Sequence, residues 1–202
     1  VSVDLNGTKN YTTNKKGQIE VPVQGVIPDK YLVNITFAGN DLYQKSIFTT
    51  NLVVNKLLSE LNANTLVTIY NSSDELIIQL KNAQGNYIGG AIVSVDLNGT
   101  KNYTTDENGQ IKVPTKGVIP DNYIVDVTFH GNELYYESNA VTKVIVEKII
   151  TKINADALTK EYTFAKKYVL VLNDDEGNPA ANVSVVIDLN GTKDFTTDEN
   201  GQ

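Results

Sequence analysis

The sequence predicts an all-β protein built from β-sandwich units that repeat every 92 residues. The segment Val1–Thr13 recurs unchanged as Val93–Thr105, and residues 1–50 align with residues 93–142 without a gap, with 33 identities. Turn-forming segments rich in Asn, Gly and Asp occur about every 8–12 residues, and short runs of β-branched residues lie between them, as is typical of β-sandwiches. We therefore expect no helix, and seven or eight antiparallel strands in two sheets for each unit.

The repeat divides the chain into three parts. Residues 57–148 form a complete copy, residues 1–56 the C-terminal part of a preceding copy, and residues 149–202 the N-terminal part of the next. A unit of 92 residues is too long for a solenoid repeat and has the size of a small all-β domain. We expect neither partial copy to close a core alone.

Local patterns predict the elements of the complete copy. The run Glu75–Lys81 is an apolar strand, and Ala91–Leu97 alternates between apolar and polar residues, as a half-buried strand does. Asn98 and Gly99 then predict a type I′ hairpin turn, because that turn needs positive φ at both central residues. A final strand, at about Ala140–Glu147, closes the unit.

Two tyrosines resemble the corner residues of sandwich folds. Tyr123 opens an alternating strand directly after the turn at Pro120, and Tyr31 repeats this arrangement after Pro28. In a tyrosine corner the hydroxyl bonds to the backbone a few residues upstream and fixes the crossover between sheets. We expect that role for both residues.

The junctions between copies contain no flexible linker. Residues 144–153 cross from the middle copy to the next as a β-prone run without Gly or Pro. Flexible linkers are usually rich in Gly, Ser or polar residues. We infer that the last strand of one unit passes almost directly into the first strand of the next, which predicts a stiff rod of tandem sandwiches.

Composition argues against several functions. The chain has 17 Lys and no Arg against 24 acidic residues, for a net charge of −7, and a nucleic-acid groove needs a clustered basic face. It has no Cys, which excludes disulfides and Cys-ligated zinc, and a single His excludes multi-His metal sites. No run approaches the roughly 20 apolar residues that span a bilayer. We predict that the chain is not an enzyme and binds no nucleic acid.

Several motifs together resemble a known family. They are Asp175-Glu176-Gly177-Asn178-Pro179 within residues 169–190, Thr104–Gly109, Ile119–Tyr123 and Phe129–Tyr135. This combination looks like the tandem immunoglobulin-like (Ig-like) repeats of cell-surface adhesin-like proteins, which are abundant in methanogenic archaea and have bacterial relatives. The resemblance covers the whole chain and implies an extracellular spacer or adhesive surface protein. One departure is the third position of the Pro turn, usually Gly in the family and here Asp29 or the pair Asp121-Asn122.

Asn-X-Ser/Thr sequons are frequent and suggest N-glycosylation if the chain lies at the cell surface. The candidates are Asn6, Asn98 and Asn190 in predicted hairpin turns, Asn34 on the polar face of a strand, and Asn71. The alternative for the Asn-Gly pairs is turn chemistry, which already explains them.

Two acidic turns offer hard oxygen ligands for Ca²⁺. They are Asp106-Glu107-Asn108 and Asp174-Asp175-Glu176, neither of which has EF-hand spacing. Because the first copy has Asn14-Lys15-Lys16 in place of the first triplet, we favour solvated turns and predict no cofactor.

A Lys–Asn isopeptide crosslink would need its lysine in each copy, and a functional histidine would need to recur as well. Lys81 becomes Asn173 in the next copy, whereas the recurring residues Lys9, Lys101 and Lys193 stand beside a turn rather than in a core strand. His130 corresponds to Ala38 in the first copy, which predicts a surface loop residue. Neither feature predicts a site.

The leading hypothesis is a structural one. The chain would be part of the stalk of an extracellular surface adhesin or filament, with neighbouring repeats as partners and with its envelope anchor outside this window. One alternative is a filament subunit, forming a homopolymer or bundle, whose partial copies complete each other by strand complementation between chains. The other is that the repeats themselves bind a host or cell-surface ligand.

Overall fold

The computed structural model describes residues 1–162 and 165–202, and it confirms the all-β sandwich class. The described residues form sixteen strands and no helix. Accordingly, they include no helix with the length and hydrophobicity needed to cross a membrane. The tandem order of complete sandwiches and the repeat boundaries at 56/57 and 148/149 stay predictions.

The strands of residues 1–56 form one antiparallel sheet with the order β2-β1-β3-β4. Their bounds are β1 Ser2–Asp4, β2 Thr8–Asn10, β3 Asp29–Phe37 and β4 Ser46–Val54.

Residues 57–148, called the middle repeat below, contain eight strands in two sheets. One sheet has the order β10-β7-β5 and the other has the order β6-β12-β11-β8-β9. The bounds are β5 Ser59–Ala63, β6 Leu66–Ile69, β7 Glu75–Asn82, β8 Ile92–Asp96, β9 Thr100–Thr104, β10 Gln110–Pro114, β11 Asn122–Phe129 and β12 Ser138–Glu147.

Residues 149–202 form two hairpin-like pairs, β13 with β14 and β15 with β16. The bounds are β13 Thr151–Ala155, β14 Leu170–Asp174, β15 Ser184–Asp188 and β16 Thr192–Thr196.

The chain divides into two compact units that alternate along the sequence. The larger unit contains most of the apolar core, which is formed by the inward rows of β7, β8, β10 and β11. In the smaller unit, Val144 and Val146 of β12 are buried. The larger unit comprises Val1–Thr65, Leu76–Val113 and Ile124–Lys143, and the smaller one Leu66–Glu75, Pro114–Tyr123 and Val144–Gln202.

Alternation along β11 follows the predicted pattern. Val125, Val127 and Phe129 are buried, whereas Ile124 and Asp126 between them are exposed. Because side chains of a strand point alternately to opposite faces, one face of β11 is apolar and covered and the other meets solvent. The same alternation holds in β8, whose Val93 and Val95 are fully buried.

The expectation of purely antiparallel strands is wrong at one pair. β6 runs parallel to β12, with Leu66 opposite Val144 and Ile69 opposite Glu147. The cause is a switch of sheet: β5 pairs antiparallel with β7, and two residues after it the chain continues as β6 beside the last strand of the repeat. The second and last strands of the middle repeat, β6 and β12, therefore run in the same direction.

The hairpin at Asn98 and Gly99 has the expected dihedral angles but a longer loop. Their φ values are 55° and 109°, both positive. Pairing stops at Asp96 opposite Thr100, so the loop holds three residues, not the two of a type I′ turn. Within this loop, Oδ1 of Asp96 accepts a hydrogen bond of 3.2 Å from the Gly99 amide.

Candidate functional site

The junction preceding β5 is fixed to a loop far along the sequence. The Lys56 ammonium donates a hydrogen bond of 2.5 Å to the carbonyl of Asn132. Leu57 then forms a parallel bridge with Tyr135, in which its amide donates to Leu134 at 2.9 Å and its carbonyl accepts from Tyr136 at 2.9 Å. This segment is held by backbone pairing and is not a free linker.

Sequence reasoning missed this junction contact. Lys56 and Asn132 are 76 residues apart, and no local pattern connects them. The available signal was repetition, since Lys56 recurs as Lys148 and the following Leu57 recurs as Ile149.

The two predicted corner tyrosines make equivalent hydrogen bonds. The hydroxyl of Tyr31 donates to the carbonyl of Ile27 at 2.8 Å, and that of Tyr123 donates to Ile119 at 2.8 Å. Both bonds reach four residues upstream, across the Pro turn that precedes β3 or β11. This is the bonding pattern of a tyrosine corner.

The sequon asparagines differ in accessibility. Asn6, Asn71, Asn98 and Asn190 are exposed and have φ between 55° and 65°, which places them at turns. Asn34 is half-buried in β3, and its Oδ1 accepts a hydrogen bond of 2.9 Å from the Thr49 hydroxyl. The turn sites therefore suit attachment of a bulky glycan better than Asn34 does. Glycosylation stays a prediction for all five.

The acidic turns use their carboxylates internally. Oδ1 of Asp106 accepts hydrogen bonds from the amides of Asn108 at 2.9 Å and Gln110 at 2.8 Å. Asp174 accepts from the backbone amide of Asn178 in the same way, and its Oδ2 also accepts from the side-chain Nδ2 of Asn178. This side-chain bond contributes most to holding the pKa of the Asp174 carboxyl below its usual value. Within residues 1–162 and 165–202 no group of three or more acidic or His side chains is arranged to hold a metal ion. The absence of a cofactor stays a prediction.

The lysine and histidine candidates occupy ordinary positions. The Lys81 ammonium lies 5.0 Å from the centre of the Tyr87 ring, within the range of a cation–π contact. Lys9, Lys101 and Lys193 are exposed. His130 is exposed in the loop after β11, where its Nε2 lies 3.4 Å from the Ser94 hydroxyl.

A polar pair that local patterns did not reveal lies beside β6. The buried Thr68 hydroxyl donates a hydrogen bond of 2.7 Å to Oδ2 of Asp74. This bond, followed by one with Ser72, lowers the pKa of the Asp74 carboxyl. The Asp74 carbonyl also accepts from the Thr115 hydroxyl at 2.7 Å. Asp74, in the loop between β6 and β7, is thus hydrogen-bonded both to Thr68 of β6 and to Thr115, which follows β10.

Residues 149–202 contain an open apolar cavity of about 530 Å³. Its walls include side chains from both hairpin-like pairs of this part, among them Ile153, Leu172, Val185, Ile187 and Phe195.

Comparison with known proteins gives little further information. The chain matches no protein-family model and no curated protein. Among solved structures, it is similar to a chain of the crystal structure of Drosophila N-cadherin EC1-4, with 14% identity and a TM-score of 0.36. The similarity covers 85% of this chain and 47% of that one, so the chain spans about half the length of its structural neighbour. This likeness is too distant to indicate a function.

Proposed function

We propose that the chain is a section of the stalk of an extracellular, adhesin-like surface protein, in which tandem Ig-like repeats hold a terminal module away from the cell. The observation that carries this proposal is the parallel pairing of β6, the second strand of the middle repeat, with β12, its last strand. The resemblance of the sequence to adhesin-like repeats supports the surface location and the candidate glycosylation of the turn asparagines.

A pair of parallel strands resists tension for a geometric reason. When the chain is pulled from the start of one strand and from the end of its parallel neighbour, the two strands are drawn past each other, and all their hydrogen bonds are loaded together. An antiparallel pair pulled in the same way opens at one end and loses its bonds one at a time. The bond from Tyr70 N to Glu147 O, 2.8 Å long, closes the β6–β12 ladder at its last pair, Ile69 and Glu147.

The junction bonds add a second parallel contact that is loaded in the same way. The bridge between Leu57 and Tyr135 lies where the chain reaches the middle repeat, and the Lys56 ammonium holds the same loop through Asn132. Only residues 55–58 separate β4 from β5, and only residues 148–150 separate β12 from β13. Such short junctions transmit tension with little slack.

Single-molecule pulling of a tandem array of residues 1–202 tests the proposal. Each unfolding repeat of 92 residues should lengthen the chain by about 300 Å, since an extended residue spans about 3.3–3.6 Å. Because the chain has no Cys, handles can be placed at single engineered cysteines. Handles at Thr65→Cys, directly before β6, and Lys148→Cys, directly after β12, load the β6–β12 pair in shear.

The matched control uses handles at Tyr70→Cys and Lys148→Cys, which pull the adjacent ends of β6 and β12 apart. We expect clear unfolding events at higher force in shear than in this unzipping geometry. Equal forces in the two geometries would contradict a tension-bearing role. A second measurement is the mass of the native chain under strongly denaturing conditions, which a continuous stalk requires to be many times 22.1 kDa.

A further inference from the structure

The strand β9 forms an open edge of the five-stranded sheet in the middle repeat. It pairs with β8 on one side, and within the described residues no strand lies beside its other side. Its residues are exposed except for Tyr103, which is half-buried. An open edge presents unpaired backbone amides and carbonyls, to which another strand can bind.

Alternate residues of β9 direct their backbone groups away from β8. The amide of Thr105 donates a hydrogen bond of 2.9 Å to the carbonyl of Ala91, so the backbone groups of Thr105 face the β8 side. Along a strand of an antiparallel pair, the side to which these groups point alternates from one residue to the next. The residues of β9 whose backbone groups face outward are therefore Thr100, Asn102 and Thr104.

The first copy shows the same edge with the same orientation. Its strand β2 has the sequence of the start of β9 and also ends its sheet. The counterpart of Tyr103 there is Tyr11, which exchanges two backbone hydrogen bonds with Val1, of 2.7 and 3.0 Å. The backbone groups of this tyrosine thus face the paired strand, and those of its neighbours face outward. The open edge is a feature of the repeat and recurs along the chain.

The sequence of β9 is complementary to itself in one antiparallel register. When two β9 strands pair about Asn102, this residue lies opposite its own counterpart and Thr100 lies opposite Thr104, so all three outward residues are used. The same register places Lys101 of each strand opposite Tyr103 of the other. A register centred on Lys101 would leave Thr104 unpaired and would set two ammonium groups opposite each other, which is destabilising.

The middle repeat already contains a lysine opposite a tyrosine in an antiparallel pair. Lys81 and Tyr87 form an isolated antiparallel bridge, and the Lys81 ammonium lies 5.0 Å from the centre of the Tyr87 ring. That distance is within the range of a cation–π contact. A lysine on an edge strand usually hinders pairing, but a tyrosine directly opposite gives its charge a partner. Pairing of two β9 strands about Asn102 would form two contacts of this kind.

We propose that two copies of this chain associate side by side through their β9 edges, in an antiparallel pair centred on Asn102. The partner is a second copy because the edge complements itself in backbone groups, in charge and in side-chain pairs. One such contact is short and therefore weak, but the recurrence of the edge in tandem repeats strengthens binding through multivalency. Each chain stays continuous, so the pairing adds lateral bundling to the stalk. The candidate glycosylation site Asn98 lies outside the paired residues.

Disulfide trapping tests this register, since the chain has no Cys of its own. Asn102→Cys places a thiol at the centre of the pair, where it meets its own counterpart. The matched control is Thr100→Cys, whose two copies would lie four residues apart along the strands and, at about 3.3 Å per residue, beyond disulfide reach. Both variants of residues 1–202 are produced in a host without N-glycosylation, oxidised in a glutathione buffer and analysed by mass.

We expect Asn102→Cys to give at least a several-fold higher yield of disulfide-linked dimer than Thr100→Cys. Sedimentation of the unmodified chain should show species heavier than 22.1 kDa, whose proportion increases with protein concentration. Equal yields for the two variants, or a 22.1 kDa monomer at every concentration, would overturn the proposal.

Two charge variants of the Asn102→Cys protein test the lysine–tyrosine contacts. Lys101→Glu and Lys112→Glu change the net charge equally at exposed positions, but only Lys101 lies on β9. Lys101→Glu should lower the dimer yield several-fold, because a carboxylate would face the negative ring face of Tyr103, whereas Lys112→Glu should leave the yield unchanged. Circular dichroism reports whether both variants keep the fold. If Lys101→Glu has no effect, or if both lower the yield equally, the proposal is wrong. None of these results depends on the pulling experiment, which measures the strength of repeats within one chain.

Discussion

The hydroxyl of Tyr123 lies 2.8 Å from the carbonyl oxygen of Ile119 and donates a hydrogen bond across the turn that leads into β11. The turn contains Pro120, which has no amide hydrogen and fixes its own φ. Pro120 therefore cannot donate a backbone hydrogen bond in this turn, and the Tyr123 hydroxyl supplies a hydrogen bond across it. Tyr31 and Ile27 repeat the arrangement before β3.

We expect Tyr123→Phe to lower the free energy of unfolding by about 1 kcal/mol, the usual net contribution of one hydrogen bond. For a chain of this size, that loss lowers Tm by about 2–4 °C. Urea denaturation of residues 1–202 measures it. Tyr136→Phe is the control, because Tyr136 is exposed and makes no hydroxyl hydrogen bond in the described residues. A similar loss in both variants would show that the effect does not come from the corner.

Thr105 joins two backbone groups inside the core. Its hydroxyl donates to the carbonyl of Ile88 at 2.7 Å and accepts from the amide of Ala91 at 2.9 Å, and all three residues are buried. Thr105→Val keeps the shape but leaves a buried donor and a buried acceptor unpaired. Since each such group costs about 1–3 kcal/mol, we expect a loss of about 2–4 kcal/mol in urea denaturation.

Thr142 provides the matched control within the same repeat. Its hydroxyl is buried and has no hydrogen-bond partner among the described residues. Thr142→Val therefore removes an unsatisfied polar group at nearly constant volume, and we expect unchanged or higher stability. Equal losses for Thr105→Val and Thr142→Val would mean that packing differences, not hydrogen bonds, decide both values.

The identical segments show how much of the fold the sequence predicts. Val1–Thr13 and Val93–Thr105 have the same residues, and in both the Asn-Gly turn joins two antiparallel strands. Local pattern thus predicts where these two strands form.

Other features depended on contacts that no local pattern contains. Gln110–Pro114 forms β10 beside β7, although β8 and β9 lie between the two strands in the sequence. The parallel direction of β6 results from the sheet switch after β5, which alternation of apolar residues does not encode. The junction bond of Lys56 likewise required the three-dimensional approach of Asn132.

The bond between Thr68 and Asp74 predicts a specific loss of stability in acid. Because the bond lowers the pKa of Asp74 in the folded state, the ionised carboxylate stabilises the fold above the ordinary Asp value of about 3.9. This contribution disappears as the pH falls through the lower, folded-state pKa. We expect Asp74→Asn, which cannot titrate, to show a smaller decrease of stability as the pH falls from 5 to below the ordinary Asp pKa.

Thr68→Val should weaken the same acid dependence, because it removes the hydrogen bond that lowers the pKa most. Denaturant unfolding of the wild type and both variants across this pH range is the measurement. The interpretation fails if the three proteins lose stability in parallel, since other carboxylates would then account for the acid sensitivity.

Gly109 combines a left-handed backbone with a close approach between strands. Its φ is +65°, and a Cβ at this position would collide with the carbonyl oxygen of Leu80 and lie 3.1 Å from the amide nitrogen of Ile88. The carbonyl of Gly109 also accepts a 2.8 Å hydrogen bond from the Leu80 amide, so the strand cannot move away without losing that bond. Gly201 repeats the contact with Leu172.

Gly85 separates the free-energy cost of a left-handed backbone from the cost of the close approach. Its φ is +83°, but a Cβ there would meet nothing within 4 Å. We expect Gly85→Ala to cost about 1–2 kcal/mol from the left-handed conformation alone. Gly109→Ala should cost about 1–3 kcal/mol more, the usual effect of forcing extra volume into a packed core. Urea denaturation of the two variants gives the difference. If it is close to zero, β7 and the Asp106–Gln110 turn separate more easily than the packing around Gly109 indicates, and the close approach contributes nothing to the rigidity of the repeat.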